Sequence, residues 1–183
     1  MLRPPITPML ARPIAALPAE DPRAVTAYEP KFDGWRLLVF RGPGEGVQLQ
    51  SRSGRLLTGY FPEVARIARD HLPPGVVLDG EVIVWEGERR RLSFAHLQRR
   101  ITASPRRALE LALQHPAHLV AFDVLQFEDQ DLRGRPLRER RRILERLLAG
   151  APPQLTQCPQ TTSRERAQEW FYSWPAIGVE GLL

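Results

Sequence analysis

A chain of 183 residues with 43% apolar content is long enough for one domain with a real core and too apolar to be globally disordered. No apolar run approaches the roughly 18–20 residues that span a bilayer. The proline-broken N-terminus lacks the apolar core of a secretory signal, and a single cysteine, Cys158, excludes an internal disulfide and a cysteine-rich zinc site. These features predict a cytoplasmic protein with no membrane role. The net charge of +5 and pI of about 10.3 point to a polyanionic partner, nucleic acid first, although a GC-rich coding sequence also raises arginine content.

Residues 1–27 are proline-rich with little periodicity and read as an extended arm packing on a domain that begins at Tyr28. Trp35 to Phe40 and Val47 to Arg52 read as strands joined by the glycine-rich turn Gly42-Pro43-Gly44-Glu45-Gly46. Phe61 to His71 has helical spacing with Pro62 near its start. Val76 to Trp85 is a β-branched strand interrupted by Asp79-Gly80-Glu81, and Ser93 is placed to cap a short helix through Arg100. His118 to Phe127 reads as a buried strand. Pro136 to Leu148 is an amphipathic helix with Leu137, Ile143, Leu144, Leu147 and Leu148 on its apolar side. Ser163 caps a helix through Trp174, and Ile177 to Leu183 begins a further strand. Trp35 and Trp85 are assigned to packing, and His115 and His118 to surface or loop positions.

Lys31 is the only lysine; the other 25 of the 26 basic residues are arginines. An arginine does not lose its proton in a protein, whereas a lysine amine can do so and act as a nucleophile. If residues 29 to 33 are extended, Glu29, Lys31 and Asp33 share one face, and Gly34 lets the backbone pass close to a ligand. The runs Arg89-Arg90-Arg91 and Arg138-Glu139-Arg140-Arg141-Arg142 are either solvated faces or holders of DNA phosphates.

The segment Lys31-Phe32-Asp33-Gly34-Trp35-Arg36 resembles the nucleotidyl-acceptor motif of the covalent nucleotidyltransferases, which include DNA ligases, RNA ligases and mRNA capping enzymes. Ser51-Arg52-Ser53-Gly54, Leu78-Asp79-Gly80-Glu81-Val82, Ala121-Phe122-Asp123-Val124-Leu125 and Glu180-Gly181-Leu182 resemble four further motifs of that superfamily, in order. The resemblance covers about Pro8 to Leu183 and is nearest to bacterial ATP-dependent DNA ligases of the small repair type. It implies an α+β, ATP-grasp-like adenylation domain, with antiparallel sheets flanked by helices and nucleotide in the cleft. It also implies ATP and Mg²⁺ as cofactors, a lysyl-AMP intermediate on Lys31, and nicked duplex DNA sealed by a monomer during repair, recombination or replication. Residue by residue, Glu29 resembles the adenine reader, and Arg36 and Arg52 resemble ribose and phosphate contacts. Phe122 resembles the aromatic that stacks on adenine, Glu81 a ribose or metal contact, and Glu180 a metal ligand.

Family members continue into a strand with catalytic lysines and then an OB-fold domain; this sequence ends before both. The expectation is therefore a C-terminally incomplete domain, slow at self-adenylation and unable to seal nicks unaided. Two rivals stay open: an RNA ligase or capping-type enzyme, and a catalytically impaired nucleic-acid-binding fragment.

Overall fold

Leu37, Leu38, Val39 and Phe40 are all buried, although they are consecutive residues of strand β2 (Trp35–Arg41) and point alternately to opposite faces of its sheet. Both faces must therefore be covered. The structure is a computed structural model and describes residues 1–14, 16–19, 23–44 and 46–183. In it, β2 lies between β3 (Val47–Ser51) and β4 (Val76–Glu86). The sheet continues through β6 (Ala117–Phe127) to β7 (Gln130–Asp131), with β5 (Arg91–Leu92) on the end of β4 and β8 (Leu155–Gln157) beside β6. Its pairings are antiparallel except β6 with β8, which is parallel. A separate antiparallel ribbon joins β1 (Pro30–Phe32) to β9 (Val179–Leu182).

The helices are α1 (Pro62–His71), α2 (Phe94–Thr102), α3 (Pro105–Gln114), α4 (Leu137–Leu147) and α5 (Arg164–Ser173). Val64 and Ile67 of α1 and Leu144 of α4 pack with Leu37, Val39, Leu49 and Leu78 on one sheet face. On the other face, Leu38, Phe40, Val77 and Leu125 are covered by Leu2 and Ile6 of the N-terminal arm. Two buried glutamines fasten that arm. Gln50 exchanges hydrogen bonds with Ile6, accepting from its N–H at 2.8 Å and donating to its carbonyl at 2.6 Å, and Gln126 accepts from the Leu2 N–H. Arg100 of α2, 1% exposed, ion-pairs with Glu63 and donates to the His115 carbonyl. Glu63 also accepts from the Ala117 N–H at 2.9 Å. One pair thereby ties α1, α2, α3 and β6 together.

Several local expectations need correction. Asp79-Gly80-Glu81 does not interrupt β4, which runs unbroken through it; only its pairing with β6 shifts register there. Gly80 is needed for that pairing, because a Cβ would lie 2.7 Å from the Val120 carbonyl oxygen. Ser93 precedes α2, but its side chain makes no capping bond. Ser104 does cap a helix, α3, which the pattern did not predict: its hydroxyl accepts from the Arg107 N–H ahead of Pro105 in the first turn. Ser163 caps α5 as expected, accepting from the Arg166 N–H at 3.2 Å. Trp85 is 43% exposed rather than packed. His115 ends α3 with its ring 3.8 Å from that of His96, and His118 lies in β6. Ala15 and residues 20–22 of the arm, and Glu45 of the glycine-rich turn, lie outside the described residues.

Candidate functional site

Lys31 sits in β1 opposite Gly181 of β9, so the neighbouring Glu180 reaches its amine and the two form an ion pair. Each side chain is about half exposed, at 47% and 48%, so the pair is open to a ligand. The register slips between Lys31 and Phe32, and the chain then turns so that the Asp33 N–H donates to the Gly178 carbonyl at 3.2 Å. Gly34 follows, but the close approach it permits is to protein. A Cβ there would lie 2.5 Å from the Val82 carbonyl oxygen and 2.7 Å from Glu81 Cγ. The loop thus rests on β4 and brings Lys31 and Glu81 to one place.

Arg36 begins β2 opposite Glu81. Its guanidinium forks onto Asp79, with Nε to Oδ1 at 3.0 Å and Nη2 to Oδ2 at 2.7 Å, and donates through Nη1 to the Met9 carbonyl at 2.7 Å. It also lies 5.4 Å from the centroid of the Phe122 ring. Arg52 stands in the exposed loop after β3, a turn fixed by the Ser51 hydroxyl accepting from the Arg55 N–H and by Gly54 at φ +89°. Glu81 is half-buried, and burial pushes its carboxyl up to about 8; Arg36 and Lys31 oppose the shift, while Asp79 and Asp33 reinforce it.

These residues meet around a cavity of about 950 Å³ lined by Lys31, Asp33, Arg36, Arg52, Glu81, Phe122 and Glu180. Trp35, assigned to packing, also lines it and stacks on Phe94 at 5.9 Å. A second cavity of about 570 Å³ adjoins it, with Arg36 and Phe122 common to both walls. Glu29 lines this second space, not the first. The shared face expected for Glu29, Lys31 and Asp33 is therefore divided: Lys31 and Asp33 face one cavity and Glu29 the other. Burial raises the Glu29 carboxyl above its usual range, against the charge of Arg141 and a hydrogen bond from Gln160.

Asp123, beside Phe122, is gripped by Arg140 through two bonds of 2.8 and 2.9 Å, and Glu29 is held by Arg141. Both arginines belong to the charge run on α4, read as solvated or DNA-bound. Their positions three and four residues before buried Leu144 were the available clue that they turn inward. Gln160 carried no such clue.

The sequence matches the family described as ATP dependent DNA ligase domain over residues 8–183. It is 39% identical over 98% of its length to DNA ligase C2 of Mycolicibacterium smegmatis, covering 49% of that protein. It is 41% identical over its whole length to DNA ligase C1 of the same organism, covering 52%. A solved structure of mycobacterial DNA ligase D complexed with ATP and MES superposes with a TM-score of 0.65 at 31% identity, over 85% of this chain and 46% of that one. The chain spans about half the length of the curated relatives it matches. With five ordered motifs converging on one cavity, it belongs to the ATP-dependent DNA ligase family, as an adenylation domain.

Proposed function

We propose that this chain carries out the nucleotidyl-transfer half of DNA ligation, with Lys31 as the nucleophile toward the α-phosphate of ATP. The observation that carries the reading is the single cavity on which Lys31, Arg36, Arg52, Glu81, Phe122 and Glu180 converge. The Lys31 amine forms a bond to the α-phosphorus as the bond to the pyrophosphate oxygen breaks, and the amine loses its proton. Arg52, exposed at the rim, and Arg36, fixed by Asp79, hold ribose and phosphate oxygens with the directed donors of a guanidinium. Phe122, half-buried between the two cavities, offers a face to adenine, and Glu29 reads the base edge. In the complete protein AMP then passes to the 5′-phosphate of a nick, and the 3′-hydroxyl displaces it during repair, recombination or replication.

Asp33, Glu81 and Glu180 are the carboxylates on the larger cavity. Among the described residues no three acidic, histidine or cysteine side chains are grouped to hold a metal by themselves. That donor set fits Mg²⁺, which binds through one or two carboxylates and the phosphates of its nucleotide, with Glu81 and Glu180 as the protein ligands. The bound ion would neutralise phosphate charge. Residues 1–27 serve as an arm on a catalytic body of residues 28–183, and the protein acts as a cytoplasmic monomer. No helix among the described residues is long and apolar enough to cross a membrane. The outward arginines of α4 contribute to holding DNA.

Incubation with Mg²⁺ and ATP labelled at the α-phosphate tests this. The expected result is an acid-labile, alkali-stable protein adduct that is absent from Lys31→Ala and not formed from GTP. An adduct retained by Lys31→Ala, or failure of the chain both to bind ATP and to take up label, would overturn it.

A further inference from the structure

Glu29 is held with unusual completeness. Its main chain pairs in both directions with Leu183, at 2.9 and 2.8 Å, and Tyr28 before it pairs in both directions with Thr161, at 2.8 and 3.0 Å. These bonds set Gln160 beside it. On the side chain, one oxygen takes both available donors: Oε1 accepts from Arg141 Nη1 at 3.2 Å and from Gln160 Nε2 at 2.9 Å. Arg141 is itself fixed, donating through Nη2 to the Cys158 carbonyl at 2.7 Å. An oxygen of a carboxylate has two lone-pair sites, so Oε1 is filled. Among the described residues nothing donates to Oε2, and the residue lines the second cavity with Phe122.

The next carboxylate on that wall, Asp123, is occupied as well. Arg140 forks onto both its oxygens, and Oδ1 also accepts from the Val124 N–H at 2.8 Å. Among the carboxylates lining this wall, Glu29, Asp79 and Asp123, Glu29 Oε2 is the one oxygen that receives no donor from the described residues. Adenine offers one exocyclic amine donor on its pairing edge. Guanine sets a ring N–H beside an exocyclic amine, a two-donor edge suited to a carboxylate with both oxygens free, next to a carbonyl that a carboxylate repels.

We infer that Arg141 and Gln160 are positioning residues that make Glu29 a single-acceptor reader of the base, and so select adenine over guanine nucleotides. The inference rests on the nucleotide-binding reading above and adds how its specificity is set. Loosening Oε1 returns the second oxygen to the cavity and gives guanine a fork to bind.

The test measures dissociation constants for ATP and GTP, and label transfer from each to Lys31, for the full chain and for Arg141→Met, Gln160→Leu and Gln160→Asn, with thermal melting to establish folding. The expected result is a fall of about tenfold in ATP-over-GTP preference for Arg141→Met and Gln160→Leu, carried by binding rather than by the transfer rate, with partial recovery in Gln160→Asn. Uniform weakening toward both nucleotides with the preference unchanged would show a merely structural role and overturn the inference; Gln160→Leu decides it alone if Arg141→Met does not fold. A native chain that binds neither nucleotide would instead sink the nucleotide-binding reading, and this inference with it.

Discussion

At the scale of single residues, the acidic side chains around Lys31 differ in how freely they carry charge. Glu180 is half exposed and paired with the amine, whereas Glu81 is enclosed where the Gly34 loop presses on β4. Its folded-state carboxyl sits at about 8, against an ordinary 4.5, so the folded protein holds a proton that the unfolded chain releases. The contribution of that proton to stability is complete below about pH 4.5 and is lost as pH rises through about 8. Glu81→Gln keeps the shape of the neutral acid and has nothing to ionise. Melting temperatures followed from about pH 5 to pH 9 should fall more steeply for the native chain than for Glu81→Gln up to about pH 8, the gap between them widening through that range and holding constant above it. Parallel curves would mean that Glu81 ionises as freely in the fold as in water. The shift also bears on chemistry, because even with Arg36 and Lys31 beside it the carboxyl holds its proton near neutral pH, and a metal binding there would displace that proton.

Helix α4 performs two tasks with one run of charge. Arg140 and Arg141 flank its buried side and occupy Asp123 and Glu29. Arg138, Arg142 and Arg146 are exposed or partly exposed, recur every fourth residue and so share the opposite face, about 6 Å apart along the axis. Among the described residues none of these three makes an ion pair, whereas Arg135 and Arg141 have Glu139 and Glu145. An arginine row of this kind along an exposed face suits a phosphate backbone, where each neutralised phosphate releases counterions. Replacing all three by alanine should weaken binding to nicked duplex DNA and flatten the plot of log affinity against log salt by roughly 0.9 for each phosphate that is no longer neutralised. Fluorescence anisotropy across a salt series reads this directly, and an unchanged slope would place the DNA elsewhere. Helicity and the apolar back of α4 were legible from Ile143, Leu144, Leu147 and Leu148, whereas Leu137, expected on the same side, is 44% exposed. The division of its arginines was legible only in part: the spacing from Leu144 marks Arg140 and Arg141 as inward, but their partners Asp123 and Glu29 come from other elements and leave no local pattern.

At the scale of the whole molecule, the same limit separates what was readable from what was not. The order of the five motifs and the continuous apolar run Leu37 to Phe40 of β2 carried the fold and the cavity, since a strand buried on both faces cannot alternate. The bonds that aim the site left no periodic trace: Gln160 and Glu29 are 131 residues apart, Arg36 and Asp79 are 43 apart, and Gln50 and Ile6 are 44 apart. The last of these has the widest structural reach. Gln50 is fully buried and pairs with the Ile6 backbone as a neighbouring strand would. It thereby holds Ile6 over Leu38, Phe40, Val77 and Leu125 and delivers Met9, three residues on, to Arg36. Gln50→Leu fills the same volume but leaves the Ile6 N–H and carbonyl without their partner, at a cost of about 1–3 kcal/mol. Urea denaturation should show that loss, limited proteolysis should cut within residues 1–9 sooner, and ATP binding should weaken as Arg36 loses its third anchor. If instead the arm stays protected and ATP binds as before, the arm is held by its apolar residues alone, and the seat of Arg36 depends on Asp79 without help from the arm.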